Sequence, residues 1–327
     1  MLFIVLVMSL AGCHKNSHYF CDNHRVINTP KDSDVLASEL FITGDSAAGT
    51  DYIYSIGGYL VATSYDRNNG IFAVYDSLGT FMGRFGSFGM ATNEFSQGMK
   101  PNGQFHNGVF FVNDVNLNTL KAIDLQLSLD SARCMVNKTV KTGNRAMAAF
   151  YLDGDDVLFE QETYDSYRIV IIDQDTKSIK KNLNLYKPHK NPFDTYADIA
   201  FISPDKKRIV LAMRFLNQVN FLSLEDNKRK SVSLYEDAFV CKDKSKGREF
   251  YCDVTADNSY IYALYMNQSR DDAYEKAKPM EIHVFNWAGN FIKKMIVNEY
   301  IVHISVSTNG TLYGCDLDDN IYKYKTV

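Results

Sequence analysis

The stretch Ile71-Phe-Ala-Val-Tyr-Asp-Ser-Leu-Gly-Thr-Phe81 decides the fold, because its rhythm recurs in Ile282-His-Val-Phe-Asn-Trp-Ala-Gly-Asn-Phe291. In each copy an apolar strand runs into an Asp or Asn, a short Gly-containing turn follows, and a second apolar strand begins. That is one two-stranded hairpin written twice. A hairpin repeated so far along a chain implies a repeat architecture.

Working outward, strands and turn signals fall into groups of four. The first group is Asp51 to Ile56, Tyr59 to Tyr65, Ile71 to Asp76 and Thr80 to Phe85, joined by Gly57-Gly58, Asp66-Arg-Asn-Asn-Gly70 and Ser77-Leu-Gly79. The second has a weak strand near Gly103 to His106, then Val109 to Asn113, Thr119 to Leu125 and Ala132 to Thr139. The third runs Ala146 to Leu152, Val157 to Glu162, Tyr167 to Asp173 and Ser178 to Leu185, and the fourth Asp198 to Ser203, Arg208 to Phe215, Gln218 to Leu224 and Lys230 to Leu234. The fifth is Tyr251 to Ala256, Tyr260 to Met266, Glu281 to Asn286 and Asn290 to Val297. The last group, His303 to Ser307, Thr311 to Asp316 and Asn320 to Lys325, is one strand short. Ala37-Ser-Glu-Leu-Phe-Ile-Thr43 is unassigned and supplies it. Four strands every roughly 40 to 50 residues specify a propeller, and ring closure removes exposed sheet edges. The expected fold is therefore all-β, a six-bladed β-propeller of four-stranded antiparallel blades over residues 37–327, its last blade closed by an N-terminal strand.

Composition agrees. A chain of 327 residues that is 46% hydrophobic and 23% charged has enough apolar surface for a large core. With 21 Tyr and 21 Phe against 6 Pro, it is rich in residues that suit a half-buried pleated surface. A formal net charge of -4 gives no basic footprint, so nucleic acid is not an expected partner.

Residues 1–13 read as a lipoprotein signal peptide. Met1 to Met8 is apolar, and Leu10-Ala-Gly-Cys13 places small residues before a cysteine, although no Lys or Arg precedes the apolar run. The motif resembles the lipobox of bacterial lipoproteins, which implies that Cys13 becomes the lipid-bearing N-terminus and that the membrane is a partner through that anchor. The implied address is the bacterial cell envelope, with the outer membrane as the anchoring surface. Residues 14–36 are polar and without period, which reads as a tether. With Cys13 consumed, Cys21, Cys134, Cys241, Cys252 and Cys315 form an odd set, so at least one thiol is unpaired. Cys241 and Cys252 bracket a polar loop and are the candidate disulfide; the alternative is two unrelated buried cysteines.

From about Ala37 to Val327 the chain resembles the TolB-like six-bladed propeller lipoproteins of Bacteroidota, on the lipobox, the segment Phe285-Asn-Trp-Ala-Gly-Asn-Phe-Ile-Lys-Lys294 and the terminal blade. The resemblance implies architecture and an envelope address, and no common activity.

Chemistry-bearing motifs are few. There is no Gly-x-Ser-x-Gly elbow, no phosphate-cradling Gly-x-x-x-x-Gly-Lys-Ser/Thr, no His-Glu-x-x-His and no Cys-x-x-Cys. Asp153-Gly-Asp-Asp156 and Asp316-Leu-Asp-Asp-Asn320 offer oxygens to calcium, but Asp and Asn equally bond their own backbone in hairpins. No cofactor, metal or catalytic residue is expected. The longer connections, between second and third strands and between blades, emerge on one face, where a rigid scaffold carries binding loops. Arg67, Asn113, Asp114, Tyr164, Arg214 and Arg270 fall at those connections and are the candidate ligand-binding residues. The Arg residues would suit an anionic group. The expected function is thus a non-catalytic module binding an extended polar ligand or a partner protein. The alternative is a metal-dependent propeller enzyme, lactonase-like or sugar-lyase-like, with carboxylates or His around the axis. First strands such as Ala146-Met-Ala-Ala-Phe150 and Ile199-Ala-Phe-Ile202 read as largely apolar, which favours the binding module.

Overall fold

A computed structural model of the chain describes residues 19–30, 35–47, 49–65, 70–143, 145–237, 248–269, 272 and 279–325. Two N-terminal strands come first, β1 (His24–Ile27) and β2 (Ser38–Ile42). Blade one is then β3 (Thr50–Ile56), β4 (Tyr59–Ser64), β5 (Phe72–Tyr75) and β6 (Phe81–Phe85). Blade two is β7 (Met99–His106), β8 (Val109–Asp114), β9 (Thr119–Asp124) and β10 (Val136–Lys141). Blade three is β11 (Ala146–Tyr151), β12 (Asp156–Glu162), β13 (Tyr167–Asp173) and β14 (Ile179–Asn184). Blade four is β15 (Asp198–Ile202), β16 (Arg208–Met213), β17 (Val219–Ser223) and β18 (Arg229–Leu234). Blade five is β19 (Arg248–Ala256), β20 (Tyr260–Ser269), β21 (Met280–Asn286) and β22 (Phe291–Val297). Blade six is β23 (Ile301–Val306), β24 (Leu312–Asp316) and β25 (Ile321–Tyr324), completed by β2 in antiparallel register, Ser38 opposite Tyr324 and Leu40 opposite Tyr322. The six-bladed ring closed by an N-terminal strand is therefore what the sequence predicts.

Each seam between neighbouring blades has its own hydrophobic cluster. Blades one and two share Val61, Phe72, Phe85, Phe110 and Val112. Blades five and six share Leu264, Ile282, Met295, Ile304 and Leu312. Blade six meets blade one through Ile42, Ile53, Ala62, Tyr313 and Ile321, so the closing strand contributes Ile42 to that packing. Middle strands such as Arg208-Ile-Val-Leu-Ala-Met213 are apolar on both faces because each face packs against a different blade.

The repeated turn is built by one acceptor. Oδ1 of Asp76 accepts from the amides of Leu78 and Thr80, each at 2.8 Å. Oδ1 of Asn286 does the same for Ala288 and Asn290 (3.1 and 2.9 Å), and Oδ1 of Asp316 for Asp318 and Asn320 (2.9 and 2.9 Å). This side chain stands in for missing backbone partners at the third hairpin of blades one and five, and at the turn between the second and third strands of blade six. The other oxygen of Asp316 accepts from Asn320 Nδ2 and Tyr322 Oη (3.0 and 3.0 Å), so this Asp works as a hairpin residue.

Three features depart from the sequence reading. The stretch read as a tether is docked over its described part: Phe20 packs into the seam of blades three and four, and β1 adds to β18 in parallel, His24 opposite Ser231 and Ile27 opposite Leu234. The reason is local, since Tyr19, Phe20, Val26 and Ile27 give this polar stretch enough apolar surface to cover an edge strand. The chain then bridges β22 at Val35 and Ile296 before entering blade six. Second, a helix α2 (Leu125–Ser131) lies between β9 and β10, after a short helix α1 (Gly44–Ala47) and before α3 (Pro192–Tyr196). Leu125-Gln-Leu-Ser-Leu129 alternates like a strand, but Asp124 accepts from the Leu127 amide at 2.9 Å and caps a helix instead. Third, β7 begins at Met99 rather than near Gly103, with its pairing to β8 broken between Pro101 and Phe105.

Candidate functional site

The inner strands β3, β7, β11, β15, β19 and β23 surround the propeller axis, and each presents an edge whose backbone groups lack a sheet partner. Polar side chains from the neighbouring inner strand fill that need. Asn102 Nδ2 donates to Ala149 O at 2.8 Å, while Gln104 donates to Tyr151 O and accepts from Tyr151 N, both at 2.8 Å. Asp253 Oδ2 accepts from the Ile304 amide (2.9 Å), Thr255 Oγ1 from the Val306 amide (3.2 Å) and Ser305 Oγ from the Ser55 amide (2.7 Å). A side-chain ladder therefore stitches blade two to three, five to six and six to one, because buried backbone groups must be paired. The break in β7 serves this ladder by turning Asn102 and Gln104 toward blade three. Gly103 sits at that break with φ of 76°, and a Cβ there would lie 2.6 Å from the Phe201 ring, so a side chain is excluded on both counts.

Beyond the ladder the axis widens into a funnel of about 840 Å³. All six blades line it, through residues such as Tyr54, Phe105, Asp153, Phe201, Asn258 and Ser305. Its mouth opens among the first hairpins of the blades. Aromatic rings and amide or hydroxyl groups share the wall, a mixture suited to a ligand with both apolar and polar faces. A narrower chamber of about 80 Å³ shares Tyr54, Phe201, Asp253 and Val254 with the funnel and is also lined by Asn102, Asn113, Glu160 and Asp198.

The expectation of a largely apolar axis holds only for parts of blades three and four. Asp51, Lys100, Asp198, Asp253 and His303 all lie on inner strands. Tyr52 carries the His303 ring at 4.3 Å and Lys100 Nζ at 4.8 Å from its centroid, and His303 Nδ1 stands 3.4 Å from Asp253 Oδ2. Burial pushes the Asp51 carboxyl above the usual range, against a hydrogen bond from Tyr65 and the charges of His303 and Lys100. Deeper in, Glu160 and Asp198 share a hydrogen bond between their carboxyl groups, and Tyr186 Oη donates to Asp198 Oδ2 at 2.9 Å. Burial raises both acids, Asp198 to about 7, so the pair retains a proton where ordinary carboxyls have lost theirs. His283 is a hydrogen-bonded structural residue, held between Tyr251 Oη (3.1 Å) and Glu281 (3.3 Å).

The described residues among those singled out from sequence sit elsewhere. Asn113 is buried, its Nδ2 directed at Met147 O (3.3 Å), and it reaches the narrow chamber. Asp114 is buried and accepts from the Ser96 and Leu117 amides (2.7 and 3.0 Å), which fixes the loop before blade two. Tyr164 is 94% exposed. Arg214 pairs through Nη2 with both oxygens of Glu249 (3.0 and 3.1 Å). None of these four lines the funnel. Arg67, Arg270, Cys13 and Cys241 lie outside the described residues; the Cys252 thiol donates to Leu264 O at 3.7 Å. Among the described residues no three His, Cys, Asp or Glu side chains gather as a metal ion would require. The missed residues did leave a signal: Asn102-Gly-Gln104 and Asp253-Val-Thr255 place polar groups at alternate positions of first strands, on one face of the strand.

Residues 68–309, more than half of the chain, match the family model described as TolB-like 6-blade propeller-like. A member of the DUF4221 family from Bacteroides vulgatus has a similar structure at 12% identity and a TM-score of 0.59, over 90% of this chain and 94% of that one. A putative exported protein from Bacteroides fragilis is similar at 10% identity and a TM-score of 0.57, over 92% of this chain and 98% of that one. Among curated proteins none matches the sequence. With six blades in the ring and a match over most of its length, the chain belongs to the TolB-like six-bladed propeller family.

Proposed function

We propose that this propeller is a non-catalytic binding module of the bacterial cell envelope, anchored through Cys13 and taking an extended polar ligand or a segment of a partner protein in its axial funnel. The observation that carries the reading is the funnel itself: about 840 Å³, lined from all six blades, with Gln104, Asp253 and Ser305 in its wall spent on stitching inner strands together. Such a wall recognises shape and hydrogen-bond pattern. The envelope address is supported by the apolar run Met1 to Met8 ahead of Leu10-Ala-Gly-Cys13, and it accords with the exported protein of similar fold.

Two variants compared on a glycan array and in envelope pull-downs test the site. Phe105→Arg fills the funnel mouth from a side chain 37% exposed, whereas Arg67, Arg214 and Arg270 replaced together by Ala remove the three arginines that the sequence singles out. Binding lost in the first and kept in the second is the expected result. The reverse pattern would move the site away from the funnel to those arginines.

A further inference from the structure

We propose that the basic groove on the outer rim of blades four and five, beside the docked N-terminal segment, binds anionic lipid headgroups and lays this rim against the membrane. The groove has a volume of about 300 Å³ and is lined by Asn23, Arg208, Lys228, Arg229, Lys230 and Trp287 among others, with no carboxylate among its described lining residues. Arg208 and Lys228 have acidic partners, Asp205 at 2.7 Å and Asp226 at 2.6 Å. The other two cations are bonded to neutral oxygens. Arg229 donates to Leu185 O (2.7 Å) and Phe20 O (3.3 Å), and Lys230 to Asn290 Oδ1 (2.7 Å) and Ala288 O (3.3 Å). Their charges therefore stand without a counter-charge in those bonds.

Exposed Arg25 on β1 adds a third positive charge, opposite Val232 and close to Lys230. The crowding is felt: burial and then Arg25 hold the Lys230 ammonium below its ordinary range. A phosphate placed between them would relieve that repulsion. Trp287 and Arg208, whose guanidinium lies 5.8 Å from the indole centroid, form a flat end to the groove.

Position points to a bilayer rather than to a soluble anion. Tyr19, the first described residue, packs at 6.4 Å on Tyr196 in the seam of blades three and four. It follows Cys13 by so few residues that even a fully extended chain spans only about 20 Å. Asn23, a few residues further, lines the groove. A lipid on Cys13 would therefore hold this rim near the headgroups, and a lipid chain combined with basic residues is the two-signal arrangement that makes membrane attachment durable. The placement rests on the anchor reading given above; the charge arrangement stands without it.

The test uses full-length protein carrying Cys13→Ser, sedimented with vesicles of phosphatidylethanolamine and phosphatidylglycerol or with vesicles of phosphatidylcholine alone. Any insertion of the apolar Met1 to Met8 acts on both, so the ratio reports the charge. We expect about tenfold stronger binding to the anionic vesicles, abolished in about 0.5 M NaCl. Adding Arg25→Gln and Lys230→Gln should bring binding down to the neutral-vesicle level. Exposed Arg25→Glu alone serves if the double substitution does not fold. Equal binding to the two vesicles, or binding unchanged in a folded charge variant, overturns the proposal. Palmitate labelling of the wild type separates the two readings: no label, together with anionic-vesicle binding, removes the anchor and supports the surface.

Discussion

Ser38, near the start of the described chain, lies opposite Tyr324 at its end, and Tyr324 in turn donates through its Oη to Glu299 at 3.0 Å. The second strand of the chain and its last described strand are thus held in one sheet. Removing residues 37–43 would strip β2 from β25, expose a strand edge and take Ile42 out of the seam between blades six and one. Ile42 alone contributes about 2 kcal/mol by burial, so the melting temperature of the whole domain should fall by several degrees or more. A deletion variant with wild-type thermal unfolding would contradict ring closure as a source of stability.

The repeated hairpin offers a smaller, local test. Asn286→Ala removes the acceptor for two amides, those of Ala288 and Asn290, and should destabilise the protein by about 1 to 2 kcal/mol in urea unfolding. Asn286→Asp keeps the acceptor and should recover most of the loss. If both substitutions cost the same, the side chain is not what holds the turn.

The Glu160 and Asp198 pair gives a pH dependence whose sign follows from burial. Both carboxyls are raised in the folded chain, Asp198 to about 7, while the unfolded groups titrate near 4. Between those values the folded state holds protons that the unfolded state has released. Stability from this pair is then full below about pH 4 and is lost as pH rises through about 7. His283 works the opposite way, since burial holds its imidazolium below the ordinary range. The useful quantity is therefore the difference between wild type and Glu160→Gln, which should show wild-type stability declining relative to the variant from pH 5 to pH 8. A pH-independent difference would mean that the pair is not protonated in the folded protein.

Cys13→Ser tests the anchor directly. The variant should leave the membrane fraction after a wash in high salt, which also releases any attachment made by the basic rim alone. Retention under those conditions would refute the lipidation of Cys13.

What the sequence discloses, and what it hides, follows one physical distinction. Blades were legible because the Asp or Asn turn and the apolar middle strands are local signals, each repeated. The docking of β1 was not, since His24-Arg-Val-Ile27 carries a pattern too short to be read and pairs with a strand two hundred residues away in the chain. Helix α2 went unread between the strands ending at Leu125 and starting at Ala132, because Leu125 to Leu129 alternates like a strand and the cap at Asp124 is what makes it a helix. The axial ladder was hidden for a different reason. Asn102, Gln104 and Asp253 satisfy backbone groups of neighbouring blades, a role defined by closure of the ring and written in no single strand. Tyr164 and Arg214 do lie at connections between second and third strands, but loop length says nothing of where the axis opens.

The closing strand also sets a timetable. β2 is synthesised long before β25, its partner. Until the final hairpin exists, Ser38 to Ile42 has no sheet to join, and blade six has an open side that other chains could occupy. Closing the ring joins segments far apart in the chain, a non-local contact that slows folding. A chaperone that shields one unpaired strand would protect this protein through most of its assembly.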